Sequence, residues 1–347
     1  MTEDKLKALM GKFKSVRIAV FGDFFVDKIL LIDNRLDEPS VETCLTAYQI
    51  VEKRIEPGAA GTVVNNLSAL GVGTLHAIGV AGQDGEGYEL QSRLDAKGVE
   101  HSRIIHAGDW FTPTYIKPMF MRPEGLEESN RLDIRNRKAP LSREVERALI
   151  DNLEAMAGSL DALIVLDQLS PDECGVITPA VREALTGIAR SHPKLIAYAD
   201  SRFRPRDFEH FVVKCNHTEA IRMIFPGKDD NGADEALLEL CARGIREGTH
   251  RDVIVTWGSK GMGVLSGEQF RLVPTVKVQG KIDICGAGDS ATAGLVSALC
   301  AGADAFEAAV MGNLAASVTI RQIGRTGVAT QPEILESWRH YEKGEAV

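Results

Sequence analysis

The length, composition and charge of the chain exclude several classes of protein. Its 347 residues suffice for one large α/β domain with a substantial core, and its 44% hydrophobic and 26% charged residues are typical of a globular protein. A formal net charge of -9 argues against a general nucleic-acid-binding protein, and no apolar run approaches the length of a membrane span.

The chain alternates short apolar runs with helical patterns. Residues 1–14 are charged and mildly amphipathic and lack the apolar core of a signal peptide, so we expect a leading helix and a cytoplasmic protein. Buried parallel strands are predicted at 16–22, 162–166, 195–199 and 253–256, and helices at 60–70, 88–97, 143–156, 179–191 and 234–247. This alternation predicts an α/β fold with a doubly wound, mainly parallel sheet flanked by helices.

Two stretches fit the alternation less well. Residues 28–57 and 112–137 are polar, β-branched and proline-containing, with weak period-two patterning. We interpret them as a small β lid that projects from the main sheet and covers a substrate, so that residues 1–347 form one domain with a lid subdomain. Because projecting sheets leave strand edges to cover, the lid also predicts a homodimer.

Polar and small residues follow the first predicted strand and open the first central helix. Asp23 and Asp27 stand where an open α/β sheet binds ligands and could accept hydrogen bonds from sugar hydroxyls, or one could cap a turn while the other is solvated. The turn lacks a GxGxxG run, so a nicotinamide enzyme is not expected. Gly58 and Gly61 could let the backbone approach a ligand closely, although tight helix–sheet packing explains the same residues.

Two later segments suit a nucleotide and its metal. Asn216 and Glu219 are three residues apart and share one face if the segment is helical, so Glu219 could hold a magnesium-bound water. Thr256, Gly258 and Gly261 follow a predicted strand in a geometry suited to the phosphates or ribose of a nucleotide, or to a plain β-turn. The six cysteines are scattered without a CxxC pair, which favours reduced thiols over a disulfide frame or a zinc site.

The run 281–294 carries the most chemical information. Gly286, Ala287 and Gly288 leave backbone N–H groups uncovered, and a helix predicted at 290–300 adds its positive end, which suits an anionic phosphoryl group. Asp289 beside them could take the proton of an attacking hydroxyl. A glycine-rich turn capped by Asp289 accounts for the same residues.

Taken in order, these segments resemble the PfkB, or ribokinase-like, family of carbohydrate kinases over essentially the whole chain. The strongest element is Asp-Ile-Cys-Gly-Ala-Gly-Asp-Ser at 283–290, which is similar to the carboxyl-terminal signature of that family. The resemblance implies that Asp289 is the catalytic base and that residues 286–288 form an anion hole. It implies ATP and Mg²⁺ as cofactors, with K⁺ as a further possible ion. The residues that would contact them are Asn216 and Glu219 for magnesium and phosphate, Thr256, Gly258 and Gly261 for the nucleotide, Asn313 for the adenine pocket, and Asp283 for a monovalent cation.

Within the family, the segments 22–27, 112–117 and 131–133 look most like the heptose-7-phosphate kinase branch, which implies a phosphosugar acceptor. Lys117, Arg131 and Arg135 are then candidates to hold its phosphate, or they form a solvated lid edge.

One departure concerns the acceptor. The first family signature usually reads Gly-Gly-x-x-Asn, whereas residues 58–62 read Gly-Ala-Ala-Gly-Thr, so Thr62 replaces an amide that commonly contacts a sugar hydroxyl.

The sequence therefore predicts phosphoryl transfer from ATP to a hydroxyl of a sugar or sugar phosphate, with a heptose-phosphate-like acceptor favoured. Two alternatives stay open: a nucleoside kinase of the same family, and a non-catalytic sugar-binding regulatory relative.

Overall fold

A computed structural model describes residues 1–136, 140–169, 175–324 and 326–347. The predicted lid boundary at Arg137 and the predicted free thiol of Cys174 lie outside these residues. None of the helices in the described ranges combines the length and the apolarity that crossing a membrane requires.

The described residues form ten α-helices and sixteen strands. The helices are α1 (Glu3–Lys12), α2 (Ala60–Ala69), α3 (Gly85–Asp95), α4 (Arg143–Ala157), α5 (Pro179–Ser191), α6 (His217–Ile224), α7 (Glu235–Thr249), α8 (Ala287–Cys300), α9 (Ala305–Thr319) and α10 (Gln331–Lys343). The first eight strands are β1 (Arg17–Gly22), β2 (Phe24–Ile32), β3 (Glu38–Pro39), β4 (Thr46–Ala47), β5 (Ile50–Ala59), β6 (Thr74–Gly82), β7 (Glu100–Ala107) and β8 (Thr114–Arg122). The remaining strands are β9 (Gly125–Glu128), β10 (Leu132–Ile134), β11 (Ala162–Asp167), β12 (Ile196–Ser201), β13 (Val212–Asn216), β14 (Val253–Thr256), β15 (Met262–Ser266) and β16 (Gln269–Val273).

The main sheet has nine strands in the order β16-β15-β14-β13-β12-β11-β1-β6-β7. It is parallel from β7 to β14, and β15 and β16 complete it as antiparallel strands. From β1 the chain passes to β6 and β7 on one side and later returns to β11 on the other, so the direction of winding reverses beside β1. Such a switch point is where open α/β sheets bind ligands, outside the carboxyl ends of the strands.

Helices cover both faces of this sheet. In β1, Ile18 and Val20 pack into a core with α1, α2, α3, α8, α9 and α10, whereas Ala19 and Phe21 pack into a second core with α4, α5, α6 and α7. Because both faces are buried, the central strands read as continuous apolar runs. The predicted doubly wound α/β fold is confirmed, and the helices predicted from periodicity differ from the observed ones mainly at their ends.

A second sheet projects from the first. Its order is β10-β8-β2-β5, with β9 paired to β8. Only Asp23 separates β2 from β1, and β5 runs directly into α2, so both strands leave the main sheet at the switch point. The ammonium of Lys28 on β2 contacts Glu86 and Glu89 of α3, each at 2.6 Å, which ties the base of this second sheet to the main layer. The strands lie within 24–59 and 114–134, and their action as a lid stays a prediction.

Candidate active site

A cleft of about 290 Å³ lies between the carboxyl ends of the parallel strands and the second sheet. It is lined by Phe25, Asp27, Ala59, Thr62, Tyr115, Lys117, Arg131, Arg135, Gln168, Arg202, Cys285, Gly286, Asp289 and Thr326. The two sheets and the amino-terminal end of α8 therefore contribute to one site.

Asp289 occupies the first turn of α8, where the chain turns from a loop into a helix. The turn depends on Gly286, which has a left-handed conformation with φ of 76° and ψ of 2°. Burial and the neighbouring Asp200 raise the pKa of Asp289 to about 7, while Lys214 and Arg202 act in the opposite direction. A carboxylate with a pKa near neutrality suits a general base.

The amides before Asp289 are only partly free. The N–H of Ala287 donates to the carbonyl oxygen of Ile284 at 3.2 Å, which is a turn hydrogen bond. In the part of the chain that the structure describes, the N–H groups of Gly286 and Gly288 have no acceptor. The predicted anion hole thus has two open donors, and one of its three members already holds the turn together.

A buried ion pair lies next to this turn. The ammonium of Lys214 on β13 lies 2.6 Å from a carboxylate oxygen of Asp200 on β12, and both side chains are buried. The same ammonium donates to the carbonyl oxygen of Gly288 at 3.3 Å. Sequence reasoning missed this pair, because both residues stand inside strands whose buried positions are otherwise apolar.

The second sheet brings cationic side chains into the cleft around one aromatic ring. The guanidinium carbons of Arg131 and Arg135 lie 4.2 and 5.0 Å from the centroid of the Tyr115 ring, and Arg135 also donates to the Tyr115 hydroxyl at 2.8 Å. Asp133 pairs with both arginines, accepting two hydrogen bonds from Arg131 at 2.7 and 3.0 Å and contacting Arg135 at 2.9 Å. The two guanidinium groups are therefore fixed in place by stacking and by ion pairing.

Two further cations carry no such partner. The side chains of Lys117 on β8 and Arg202 after β12 line the cleft without an ion pair to any described residue. The backbone of Arg202 is anchored, because its N–H donates to the carbonyl of Asp167 at 3.2 Å and its own carbonyl accepts from Arg222 at 2.7 Å. Arg202 was not predicted from the sequence, although its position directly after a parallel strand is a signal that could have found it.

Asp27 lines the same cleft, and Gly58 packs against its carboxyl group. Burial raises the pKa of Asp27, and the nearby Lys117 and Arg131 act against that rise. A Cβ at Gly58 would lie 3.0 Å from the Asp27 carboxyl group, so glycine at this position lets the carboxylate pack against the backbone of β5. The structure thus brings Asp27 together with Thr62, Lys117, Arg131 and Asp289.

Asp23 and Gly61 are not brought to the cleft. The carboxylate of Asp23 is buried and accepts hydrogen bonds from the N–H groups of Val176 at 3.0 Å and Gln168 at 3.4 Å. A Cβ at Gly61 would lie 2.3 Å from the Cβ of Pro57, so this glycine serves the packing of α2 against β5. Both residues shape the walls of the site, and their contact with a sugar stays a prediction.

Asn216 and Glu219 form a reciprocal cap at the start of α6. The Asn216 side-chain oxygen accepts from the Glu219 N–H, and a Glu219 carboxylate oxygen accepts from the Asn216 N–H, both at 2.8 Å. The second carboxylate oxygen of Glu219 has no donor among the described residues. Magnesium keeps several of its waters in protein sites, so a carboxylate with one open oxygen fits a water-mediated contact.

The remaining predicted residues hold the loops behind the site. The N–H of Trp257 donates to the carbonyl of Gly261 at 2.7 Å and closes the turn after Thr256. Gly258 and Gly261 have φ of 54° and 99°, and a Cβ at Gly261 would lie 2.1 Å from the Val273 oxygen, so the turn requires glycine there. Their contact with a nucleotide stays a prediction.

The side chains of Asn313 and Asp283 form hydrogen bonds with backbone groups. The buried amide of Asn313 donates to the carbonyls of Val273 and Pro274, both at 3.1 Å. The carboxylate of Asp283 accepts from the N–H groups of Cys285 at 3.0 Å and Gly324 at 3.1 Å. Asn313 therefore ties α9 to the strand end behind it, and Asp283 ties together the loops that flank the amino-terminal end of α8.

Comparisons with known proteins agree with the earlier resemblance. Residues 174–331 match the model of the pfkB family carbohydrate kinases. The bifunctional protein HldE of Citrifermentans bemidjiense is 27% identical over 342 residues, which cover 97% of this chain and 66% of that protein. The chain thus spans about two thirds of the length of this relative.

Solved structures share the fold. Phosphofructokinase-2 from Escherichia coli, in complex with fructose-6-phosphate, has a TM-score of 0.69 at 19% identity, covering 94% of this chain and 99% of that chain. Ribokinase from Arabidopsis thaliana, complexed with ribose and ATP, has a TM-score of 0.67 at 16% identity, covering 92% and 98% respectively. The architecture is therefore ribokinase-like, as the sequence predicted.

Proposed function

We propose that this chain, which is a carbohydrate kinase of the pfkB family, transfers the γ-phosphoryl group of ATP to a hydroxyl of a sugar that already carries a phosphate. The observation that carries the proposal is the placement of four cationic side chains in one cleft with the Asp289 carboxylate, whose pKa is raised to about 7. Those residues are Lys117, Arg131, Arg135, Arg202 and Asp289.

The cations support an acceptor with an anionic group. Asp133 neutralises part of the charge of Arg131 and Arg135, whereas Lys117 and Arg202 line the cleft without an ion pair to a described residue. Guanidinium groups held rigidly by stacking suit a phosphate, because little side-chain entropy is lost when they bind it. A neutral sugar or nucleoside would offer these cationic side chains no anionic group.

The transfer would proceed at the amino-terminal end of α8. The Asp289 carboxylate takes the proton of the acceptor hydroxyl, the oxygen forms a bond to the γ-phosphorus, and the bond to the ADP oxygen breaks. The open N–H groups of Gly286 and Gly288 would hold the charge of the group in transfer. Closure of the second sheet over the cleft would exclude water that otherwise hydrolyses ATP.

Glu219 would hold magnesium through a water. When bound, the ion neutralises charge on the β- and γ-phosphate oxygens of the nucleotide. The heptose-phosphate-like acceptor is favoured on the resemblance of the segments around Asp27, Lys117 and Arg131 to that branch of the family.

The test is magnesium-dependent ADP release with ATP and a panel of hexoses, pentoses, nucleosides, heptose phosphates and hexose phosphates, with Asp289→Asn as the blank. We expect phosphorylated sugars to be used at least tenfold better, by kcat/KM, than the same sugars without phosphate. Equal use of each sugar and its phosphate would refute the phosphosugar acceptor. A preference for nucleosides would establish the alternative kinase, and unchanged turnover by Asp289→Asn would remove the proposed base.

A further inference from the structure

Methyl groups form part of the wall of the cleft next to the amino-terminal end of α8, whereas charged side chains line much of the rest. A Cβ built on Gly286 would lie 3.1 Å from the Thr326 methyl carbon and 3.3 Å from the Thr62 methyl carbon. Both threonines therefore direct their methyl groups towards the backbone of Gly286. Ala59 lines the cleft three residues before Thr62. We call Ala59, Thr62 and Thr326 the methyl wall.

The hydroxyl of Thr62 is directed away from this wall. It points to the carbonyl oxygen of Pro57 at 3.4 Å, at the end of β5, and the Thr62 side chain is buried. The hydroxyl and the methyl group of a threonine diverge from the same carbon, so a hydroxyl turned to Pro57 leaves the methyl group beside Gly286, which lines the cleft. Thr62 therefore offers a methyl group to a bound molecule, whereas a longer amide side chain at this position would offer a hydrogen-bond donor and an acceptor.

We infer that the acceptor meets the methyl wall with C–H groups, so that a hydroxyl at that position of the sugar is not recognised and a deoxy sugar phosphate is used as well as its hydroxylated parent. This inference rests on the proposed function. A hydroxyl at that position gains no hydrogen-bond partner from the wall, so it adds no affinity to the hydroxylated parent. The phosphate of the acceptor would lie among the cationic side chains of the cleft.

The experiment compares kcat/KM within matched pairs of acceptors. The pairs are fructose 6-phosphate with its 1-deoxy analogue, glucose 6-phosphate with its 2-deoxy analogue, and ribose 5-phosphate with its 2-deoxy analogue. Each pair is measured with the wild type, Thr62→Asn, Thr62→Val and Thr326→Val. Thr62→Asn supplies an amide at the wall, whereas the two valine variants keep the shape of the wall and remove one hydroxyl each.

For at least one accepted pair, we expect the wild type to use the deoxy member within about threefold of its parent. Thr62→Asn should shift the ratio about tenfold towards the hydroxylated member, and both valine variants should keep the wild-type ratio. The inference is overturned if every deoxy analogue of an accepted sugar is at least tenfold poorer, or if Thr62→Val selectively loses the hydroxylated member.

Failure of the proposed function gives a different result. If only sugars without phosphate are accepted, the phosphosugar proposal fails, and the same ratios are measured on the corresponding unphosphorylated pairs. If no sugar is phosphorylated, and calorimetry detects no binding of any pair to Asp289→Asn with a non-hydrolysable ATP analogue, both proposals fall together.

Discussion

Lys214 and Asp200 form a buried ion pair, 2.6 Å between the ammonium and a carboxylate oxygen, beside the turn that begins α8. The Thr292 hydroxyl of α8 donates to the same Asp200 carboxylate at 3.3 Å, and Lys214 donates to the Gly288 carbonyl. One pair of charges thus joins β12 and β13 to the helix that carries Asp289. The pair explains why a cation is retained at a fully buried strand position.

Removing one member of this pair should destabilise the fold strongly. Lys214→Met leaves the Asp200 carboxylate buried without its partner, which costs about 3 kcal/mol or more in the free energy of unfolding. Asp200→Asn should cost a similar amount, while the double variant should lose clearly less than the sum of the two. Urea denaturation of all four proteins measures this coupling, and additive losses would show that the two charges act independently.

The pH dependence of the reaction should follow the protonation of Asp289. Because its pKa is raised to about 7, the carboxylate is lost as pH falls through 7, and kcat/KM, which reports the free enzyme, should fall with it. Asp200 raises this pKa and Lys214 lowers it, so Asp200→Asn should move the acidic limb to lower pH and Lys214→Met to higher pH. A limb that stays in place in both variants would show that another group controls the rate.

The same shift predicts an effect on stability. The native state holds the Asp289 proton up to about pH 7, whereas the unfolded state releases it near 3.8, so this group loses its stabilising contribution as pH rises between these values. Asp289→Asn cannot titrate and should gain stability relative to the wild type between pH 5 and pH 8. Thermal unfolding of both proteins at the two pH values measures the difference, and a constant gap would contradict the raised pKa.

Much of the fold followed from local pattern, and less of the site did. Continuous apolar runs predict buried parallel strands because helices cover both faces, and β1 and β11 fulfil this closely. The turn before Asp289 was predictable because glycine and a helix start are encoded within a few neighbouring residues.

The cationic part of the site is encoded differently. Arg202 is distant in the chain from Arg131 and Arg135. The three share one cleft only because the main sheet and the second sheet converge there. The Lys214–Asp200 pair depends on two strands becoming neighbours, with Asp200 opposite Lys214 in register. The Asn216–Glu219 motif was expected to face a ligand. In the structure, the side-chain oxygen of Asn216 and one carboxylate oxygen of Glu219 cap α6. The local sequence does not specify these contacts between residues that are distant in the chain.

The unpaired cations should matter most for an acceptor that carries a phosphate. Arg202→Gln and Lys117→Met should each raise KM for a phosphorylated acceptor about tenfold or more, because each removes a charge-assisted contact. Asp133→Asn should also raise KM, although less, since it only loosens the two arginines that it orients. Arg147, which is exposed on α4, provides the matched control Arg147→Gln.

These KM values are measured by ADP release at low and moderate salt, and the wild-type KM should rise with ionic strength. A change in kcat alone, with KM for the phosphorylated acceptor unaltered, would place these residues outside the acceptor site.

Ala59 carries backbone strain that glycine would relieve. Its φ of 51° and ψ of -115° are unfavourable for a residue with a Cβ, yet the conformation is needed where β5 turns into α2. Ala59→Gly should raise the free energy of unfolding by about 1 kcal/mol. The neighbouring Ala60→Gly, inside the helix, should lower it and serves as the control. Destabilisation by Ala59→Gly would show that methyl packing outweighs the strain.

The β3–β4 hairpin and the edge of β5 beside it in the chain leave an apolar surface uncovered, which predicts a dimer. Val41, Leu45 and Tyr48 are 99%, 70% and 54% exposed around the β3–β4 hairpin, and Ile50 begins the free edge of β5. Apolar side chains beside an open strand edge favour pairing with a second copy of the chain, because association buries both.

We expect light scattering to give a dimer at micromolar concentration and Leu45→Glu to give a monomer. Leu240 is 57% exposed on α7, on the main domain, so Leu240→Glu is the matched control and should remain dimeric. A wild-type monomer would reject the dimer altogether. Dissociation by both variants would show that the charge acts through general destabilisation, because an interface at the β3–β4 hairpin and the edge of β5 requires that only the substitution in the hairpin separates the two copies.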